Sequence, residues 1–419
     1  MLAPIDVVKK PDRPIFEPLQ FPVSEIVSAL TLALDLSKGQ PMGHSLRSCV
    51  LGMRLAHEIL LPQEELSGLY YALLMKDAGY SLSSSSLQVR TRCGQGALIA
   101  ARMGLPDATA SAIRSLDERW SGDGKPNGRR GEEIPLPARI VSLAQNLEMF
   151  YAVSGPAAAL NMARDRSGSW FDPALVHAAE SLAARGGLWA GLEDASRRVV
   201  ELEPLQTPLD ATEAGLDTIC QAFGEVIDAK TPLAYHSAGV AETTVFIARM
   251  LGLAESGVRQ LRRAALLHDI GKLGVPDSIL EKPGRLTSDE WVALRKHVFY
   301  TYAILKRVPG FGELSEVAGS HHEKLDGSGY FRGLRAEQIS LPMRILVVAD
   351  IYDALSSKRP YRDALPPELA FQIMRKQAPH ALDATCIEAL VASCGVETSS
   401  AAGLAQLSAN LRDDLVVSM

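Results

Sequence analysis

Stretches of this chain recur at an almost constant distance, and that repetition constrains the fold more than any other feature. PMGHSLRS at Pro41–Ser48 pairs with LAYHSAGV at Leu233–Val240, 192 positions on. ALLMKDAG at Ala72–Gly79 pairs with ALLHDIG, Asp77 against Asp269, again 192 apart. IPLPARIVSLAQ at Ile134–Gln145 pairs with ISLPMRILVVAD at Ile339–Asp350 at an offset of 205. One offset with a single 13-residue change is what duplication plus one insertion leaves behind. With 419 residues the chain is long enough for two cores. Apolar residues fall at i, i+3, i+4 and i+7 through Ser24–Ser37, His44–Leu60, Ser237–Leu251 and Val258–Leu267, which predicts helices. Sustained alternation is nearly absent. The expected fold is all-α, with two tandem helical bundle domains at 1–205 and 206–419. The Pro-containing run Glu203–Gly215 is the expected linker.

A net charge of -6 leaves no basic field for long nucleic acid, although local Arg and Lys can still hold a small anion. The five cysteines, Cys49, Cys93, Cys220, Cys386 and Cys394, form no CxxC pair. They read as reduced, buried thiols, and the expected location is the cytoplasm. The N-terminus carries charges and prolines where a signal peptide needs an apolar run, and no stretch approaches the ~20 apolar residues of a membrane span.

The chemistry is expected in the second half. His236, His268 beside Asp269, His297, the pair His321–His322 and Asp350 form an organised set, whereas His57, His177 and His380 read as ordinary core or surface residues. LLHD and VVAD each place polar groups directly after buried apolar residues, where an unpartnered charge is costly. A metal ion satisfies several such groups at once. Five imidazoles and two carboxylates without a thiolate suit iron or manganese. Seven side chains exceed what one ion with open positions can use, so two divalent ions sharing Asp269 are expected, an arrangement suited to phosphoester cleavage. Lys272 lies one turn beyond Asp269, where it can neutralise charge on phosphorus. Arg359 and Arg362 follow Asp350 by nine and twelve residues, and both offer bidentate forks for phosphate.

HDIGK at His268–Lys272, HHEKLDGSGY at His321–Tyr330 and ADIYDALSSKRPYR at Ala349–Arg362 resemble the HD-GYP branch of the HD phosphohydrolases, over roughly residues 216 to 381. The resemblance implies two tandem HD-type helical domains, the first degenerate, and a bi- or trinuclear metal centre. It also implies hydrolysis of cyclic di-GMP to pGpG and on to GMP. The alternatives are a cyclic di-GMP-binding module with little turnover and a hydrolase of another cyclic dinucleotide such as cyclic GMP-AMP. Carried over by position, the seven residues above match metal ligands, and Lys272 matches the catalytic lysine, acting with Asp269. Tyr330, Arg359 and Arg362 match substrate contacts, while Gly327 and Gly329 match the turn shaping the pocket wall.

Three positions depart from the pattern: Phe331 replaces the proline of GYP, Gly239 replaces an arginine, and Pro232 stands where a carboxylate would help hold a third ion. Two metals are therefore expected. In the first half His44 and Asp77 remain, but Lys76 takes the histidine position of HD. Leu116 and Asp117 replace the histidine pair, and Gln145 replaces the late aspartate. No metal is expected there. The loop SGDGKPNGRRGEE keeps its glycines without the tyrosine, and the domain is assigned a structural role, with homodimerisation or a regulatory protein as its use.

Overall fold

The computed structural model describes residues 22–79, 89–204, 212–231, 235–308, 310–358 and 363–393. The chain divides into two compact units, one within Gln20–Ala222 and one within Phe223–Met419. The first contains α1 (Val23–Ser37), α2 (His44–Glu58), α3 (Gln63–Met75), α4 (Val89–Arg102), α5 (Asp107–Arg114), α6 (Leu136–Asp165), α7 (Pro173–Ala184) and α8 (Ala195–Glu201). The division falls inside α9 (Glu213–Lys230). The second unit continues with α10 (His236–Met250), α11 (Glu255–Leu267), α12 (Asp277–Leu280), α13 (Ser288–Leu305), α14 (Gly312–Ala318), α15 (Leu341–Ser356), α16 (Pro367–Gln377) and α17 (Ala384–Ser393). Among the described residues the only β pairing is two isolated bridges. The all-α expectation holds. The expected linker is shorter than its composition suggested: the Thr212 hydroxyl accepts the Gly215 amide at 3.0 Å and starts α9 at Glu213.

In the second unit, α15 is the central helix. Its run Ile345–Leu346–Val347–Val348–Ala349 is buried all round, which explains why its sequence shows little periodicity. α10 packs against both α11 and α15, bringing the start of α10, the end of α11 and the middle of α15 to one place. α13 begins at a capping box in which Thr287 and Glu290 satisfy each other's backbone amides. It then crosses directly over Gly271. A Cβ on Gly271 would lie 1.9 Å from the His297 carbonyl oxygen and 2.7 Å from the Thr301 nitrogen, so only glycine allows this approach. Thr301 fastens the crossing: its hydroxyl donates to the His268 carbonyl at 2.8 Å and accepts the Gly271 amide at 3.0 Å.

Candidate metal centre

The second unit brings together all seven expected ligands. They arrive from five places along the chain. His236 opens α10, His268 and Asp269 follow the last turn of α11, and His297 lies on α13. His321 and His322 follow α14, and Asp350 lies on α15. His268, Asp269, His297 and His321 are at most 1% exposed.

Asp269 stands between two groups. Its Oδ2 lies 3.6 Å from His236 Nε2 and 3.4 Å from His268 Nε2, and Asp350 Oδ1 closes that side at 3.4 Å and 3.7 Å from the same nitrogens. Its Oδ1 lies 3.5 Å from His297 Nε2 and 3.6 Å from His321 Nε2. Potential ligand atoms of His297, His321 and His322 lie within 4.8 Å of one another, as do those of His236, His268 and Asp350.

Backbone carbonyls fix the tautomers. Nδ1–H of His268 donates to Ala265 at 2.7 Å, that of His297 to Leu294 at 2.6 Å, and that of His321 to Ala318 at 2.7 Å. Each ring therefore turns its Nε2 lone pair inward. The Nε2 atoms of His297 and His321 face each other at 3.2 Å. Burial drives the His297 pKa down to about 4, with Asp269 opposing and Lys272 adding, and burial takes His321 well below its usual value. Two neutral rings with facing lone pairs repel each other, and a cation between or beside them removes the conflict. His268 Nε2 and Asp269 Oδ1 are also buried without a hydrogen-bond partner. Nitrogen- and oxygen-rich, orphaned and convergent, this cluster fits a divalent metal ion.

His236 shows the same need from the acidic side. Burial lowers its pKa, but hydrogen bonds to Asp269 and Asp353 and the charge of Asp350 outweigh this and hold it at about 9. A proton there does what a cation would do. Burial would raise the Asp269 carboxyl, yet Lys272 and the surrounding histidines keep it well below the usual range. Lys272 Nζ sits 2.5 Å from Asp269 Oδ2, with 17% of its side chain exposed.

Tyr330 stacks on His322, with centroids 4.8 Å apart and planes at 27°, so an aromatic face borders the centre. Gly327 has φ +80°, and Gly329 packs its backbone against the 322–324 chain, where a Cβ would lie 2.5 Å from Glu323 Cα. Both glycines shape the loop. Arg359, Arg362 and Pro232 lie outside the described residues.

Four residues of the site escaped sequence reasoning. Asp353 accepts Nδ1–H of His236 at 2.6 Å. It lies three residues past Asp350 on one helix face, a spacing that could have signalled it. Its room comes from Gly239, where a Cβ would meet Asp353 Oδ1 at 2.5 Å. Glu323 clamps the signature loop, accepting the amides of Arg332 at 2.7 Å and Leu334 at 2.8 Å. Asp228 anchors the start of α10 through the Ser237 amide and hydroxyl. The Arg295 guanidinium lies 4.9 Å from the Tyr330 ring centroid.

Comparison with known proteins places this geometry. The HD domain family matches residues 72–175 and 222–386, which together cover more than half of the chain and include every ligand above. The chain belongs to this family, in its HD-GYP branch. A relative named 3′3′-cGAMP-specific phosphodiesterase 3, from Vibrio cholerae serotype O1, is 40% identical over 88% of this HD chain and 94% of its own length. A crystal structure titled as a cyclic GMP-AMP specific phosphodiesterase of V. cholerae superposes with a TM-score of 0.69. It is 38% identical and covers 91% of this chain and 99% of that one. A cyclic di-GMP phosphodiesterase of Thermotoga maritima is 44% identical over 128 residues, 30% of this chain and 35% of that protein.

In the first HD unit the corresponding place is built from ammonium groups. Lys76 Nζ contacts Asp77 and lies 3.1 Å from Ser45 Oγ, and Lys38 Nζ reaches the other Asp77 oxygen at 2.8 Å. His44 pairs with Glu148, which also accepts Arg47 Nε at 2.5 Å. By the two offsets, Arg47 and Glu148 correspond to Gly239 and Asp353. The arginine that the second unit lacks thus occupies, in the first, the carboxylate standing where Asp353 stands.

Proposed function

We propose that this HD-GYP protein is a metal-dependent phosphodiesterase that hydrolyses a 3′,5′ bond of a cyclic dinucleotide, with 3′3′-cGAMP as substrate. The observation that carries the chemistry is the division of Asp269 between two groups of inward-facing donors. His236, His268, Asp350 and Asp269 Oδ2 would hold one divalent ion, and His297, His321, His322 and Asp269 Oδ1 the other. The nitrogen and oxygen donors favour iron or manganese. When bound, such a pair of ions activates water at neutral pH and draws charge from the phosphoryl oxygens.

The protein's own groups have separate tasks. Asp353 and the carbonyls of Ala265, Leu294 and Ala318 orient the imidazoles. Lys272, part-buried at the edge of the cluster, would neutralise charge developing on phosphorus. Tyr330 would support a purine face, and Arg359 and Arg362 would grip the phosphates. The first HD unit is assigned a metal-free role, since the ammoniums of Lys38 and Lys76 occupy its central carboxylate.

Support for 3′3′-cGAMP is the relative that bears it in its name and aligns along nearly its whole length. Cyclic di-GMP is the second reading, favoured by relatives such as the T. maritima enzyme, which aligns over 128 residues. The test is anaerobic purification with metal analysis, followed by turnover of both dinucleotides with iron or manganese supplied. Faster cleavage of 3′3′-cGAMP, dependent on metal, is expected. A metal-loaded chain that cleaves neither compound would refute the proposal.

A further inference from the structure

The first unit keeps the pocket while its chemistry is gone. Glu118 accepts the amides of Asn127 at 2.7 Å and Arg129 at 3.0 Å, and Glu323 accepts those of Arg332 and Leu334, each 205 positions further on. Gly122 and Gly128 have φ +90° and +67°, against +80° and +65° at Gly327 and Gly333. The two loops therefore share one backbone course, and Lys125 stands at the position of Tyr330. A cavity of about 390 Å³ opens here, bordered by Arg92, Arg119, Lys125, Gln145, Asn146 and Trp170. That volume is within the range of small-ligand pockets. A smaller recess sharing Arg92 and Gln145 reaches Lys38, Lys76 and Asp77.

Charge decides what could enter. The carboxylates of the combined lining are already engaged. Asp77 takes both lysines, and Glu118 takes the loop amides. Asp117 faces Arg92 at 3.4 Å, and Asp123 faces Arg119 at 3.4 Å. Five cations meet four carboxylates, and Lys125, exposed on the loop, forms no ion pair among the described residues. The remaining wall offers the Gln145 amide, which suits the paired donor and acceptor of a purine edge, and beside it the Asn146 amide, whose Nδ2 also donates to the Ser142 carbonyl at 2.8 Å. The Trp170 ring carries two guanidiniums, Arg119 at 4.0 Å and Arg166 at 4.2 Å from its centroid, and the outer plane of Arg119 is a surface on which a base can stack.

We propose that this cavity is a second, non-hydrolytic binding site for a phosphate-bearing purine nucleotide. Leu116, Asp117 and Gln145 stand where the second unit has His321, His322 and Asp350, so the site binds without cleaving. The phosphate would seat on Lys125, and the purine would lie between Arg119 and the α6 amides. The inference leans on the proposed activity only for the choice of ligand: the nucleotide is either the intact cyclic dinucleotide or its mononucleotide product.

The test uses the full chain carrying Asp269→Asn to suppress turnover, in equilibrium dialysis with labelled 3′3′-cGAMP and, separately, with GMP and AMP. Adding Lys125→Glu should weaken one binding equivalent per chain by about tenfold or more, the loss of one charge-assisted contact plus its reversal. Adding Tyr330→Ala instead should leave that equivalent in place. If only the mononucleotides show the Lys125-dependent equivalent, the ligand is the product. Binding of every nucleotide unchanged by Lys125→Glu overturns the proposal. Turnover by the unsubstituted chain is read separately, so failure of the hydrolase assignment is distinguishable from failure of this site.

Discussion

Replacing Gly271 with alanine tests whether the crossing of α13 over the HD turn holds the metal ligands in register. The added methyl would begin 1.9 Å from the His297 carbonyl oxygen, and real Cβ atoms stay at least 3.0 Å from such neighbours, so α13 must retreat by about 1.1 Å, the difference of the two. That oxygen belongs to the residue whose Nε2 lies 3.5 Å from Asp269, so the ligand moves with its helix. Forced repacking of this kind costs about 1–3 kcal/mol. A displacement near 1 Å at a reacting centre can cost about 100-fold in rate. Gly79 provides an internal control, because a Cβ there would lie 2.1 Å from the Arg92 carbonyl oxygen at the equivalent place in the first unit. Metal content, thermal midpoint and turnover should be measured for Gly271→Ala and Gly79→Ala together. Both should lose stability to a similar extent, and only Gly271→Ala should lose metal and about two orders of magnitude in turnover. A Gly271→Ala protein with full metal content and turnover within a factor of about two would refute the positioning argument.

Three further outcomes are expected. Asp353→Ala should weaken metal affinity about 10–100-fold, because His236 loses the partner that orients it; unchanged affinity in a metal titration would assign Asp353 a purely packing role. Manganese at about 100 times its dissociation constant should stabilise the second unit by about 2.7 kcal/mol, visible as a rise in melting temperature that chelator reverses; no rise would contradict the fit of the cluster to a cation. Burial would raise the Asp77 pKa, but Lys76 and Lys38 hold it well below the usual range, so its ionisation stabilises the folded state above the unfolded value of about 3.9. The stability gap between the natural chain and Asp77→Asn should therefore be constant from about pH 7 to 5 and shrink as pH falls below about 4; a gap that shrinks on raising the pH would reverse the assigned sign.

Most of the fold and the metal-facing residues could be read from the chain because both are local signals. Helical period marks α1, α2, α10 and α11, the HD turn and Asp350 each follow a buried apolar run, and the histidine pair opens the motif HHEKLDGSGY. What escaped is set by tertiary geometry. Asp353 became a partner of His236 only through the space left at Gly239, which neither residue announces. Lys38 reaches Asp77 from just beyond α1, 39 positions away, so the sequence placed one ammonium at the vacated centre and not two. Arg295 faces Tyr330 across two separate elements. The start of α9 was missed because one hydroxyl of Thr212 outweighs a run of small residues and prolines.

The clamps made by Glu118 and Glu323 have a wider consequence. Each holds its loop by main-chain nitrogens, so the loop's shape is indifferent to which side chains project from it. Within one polypeptide the same wire frame carries lysine and proline in one copy, tyrosine and phenylalanine in the other. New recognition chemistry can thus be tried at those positions while the surrounding scaffold goes on folding as before.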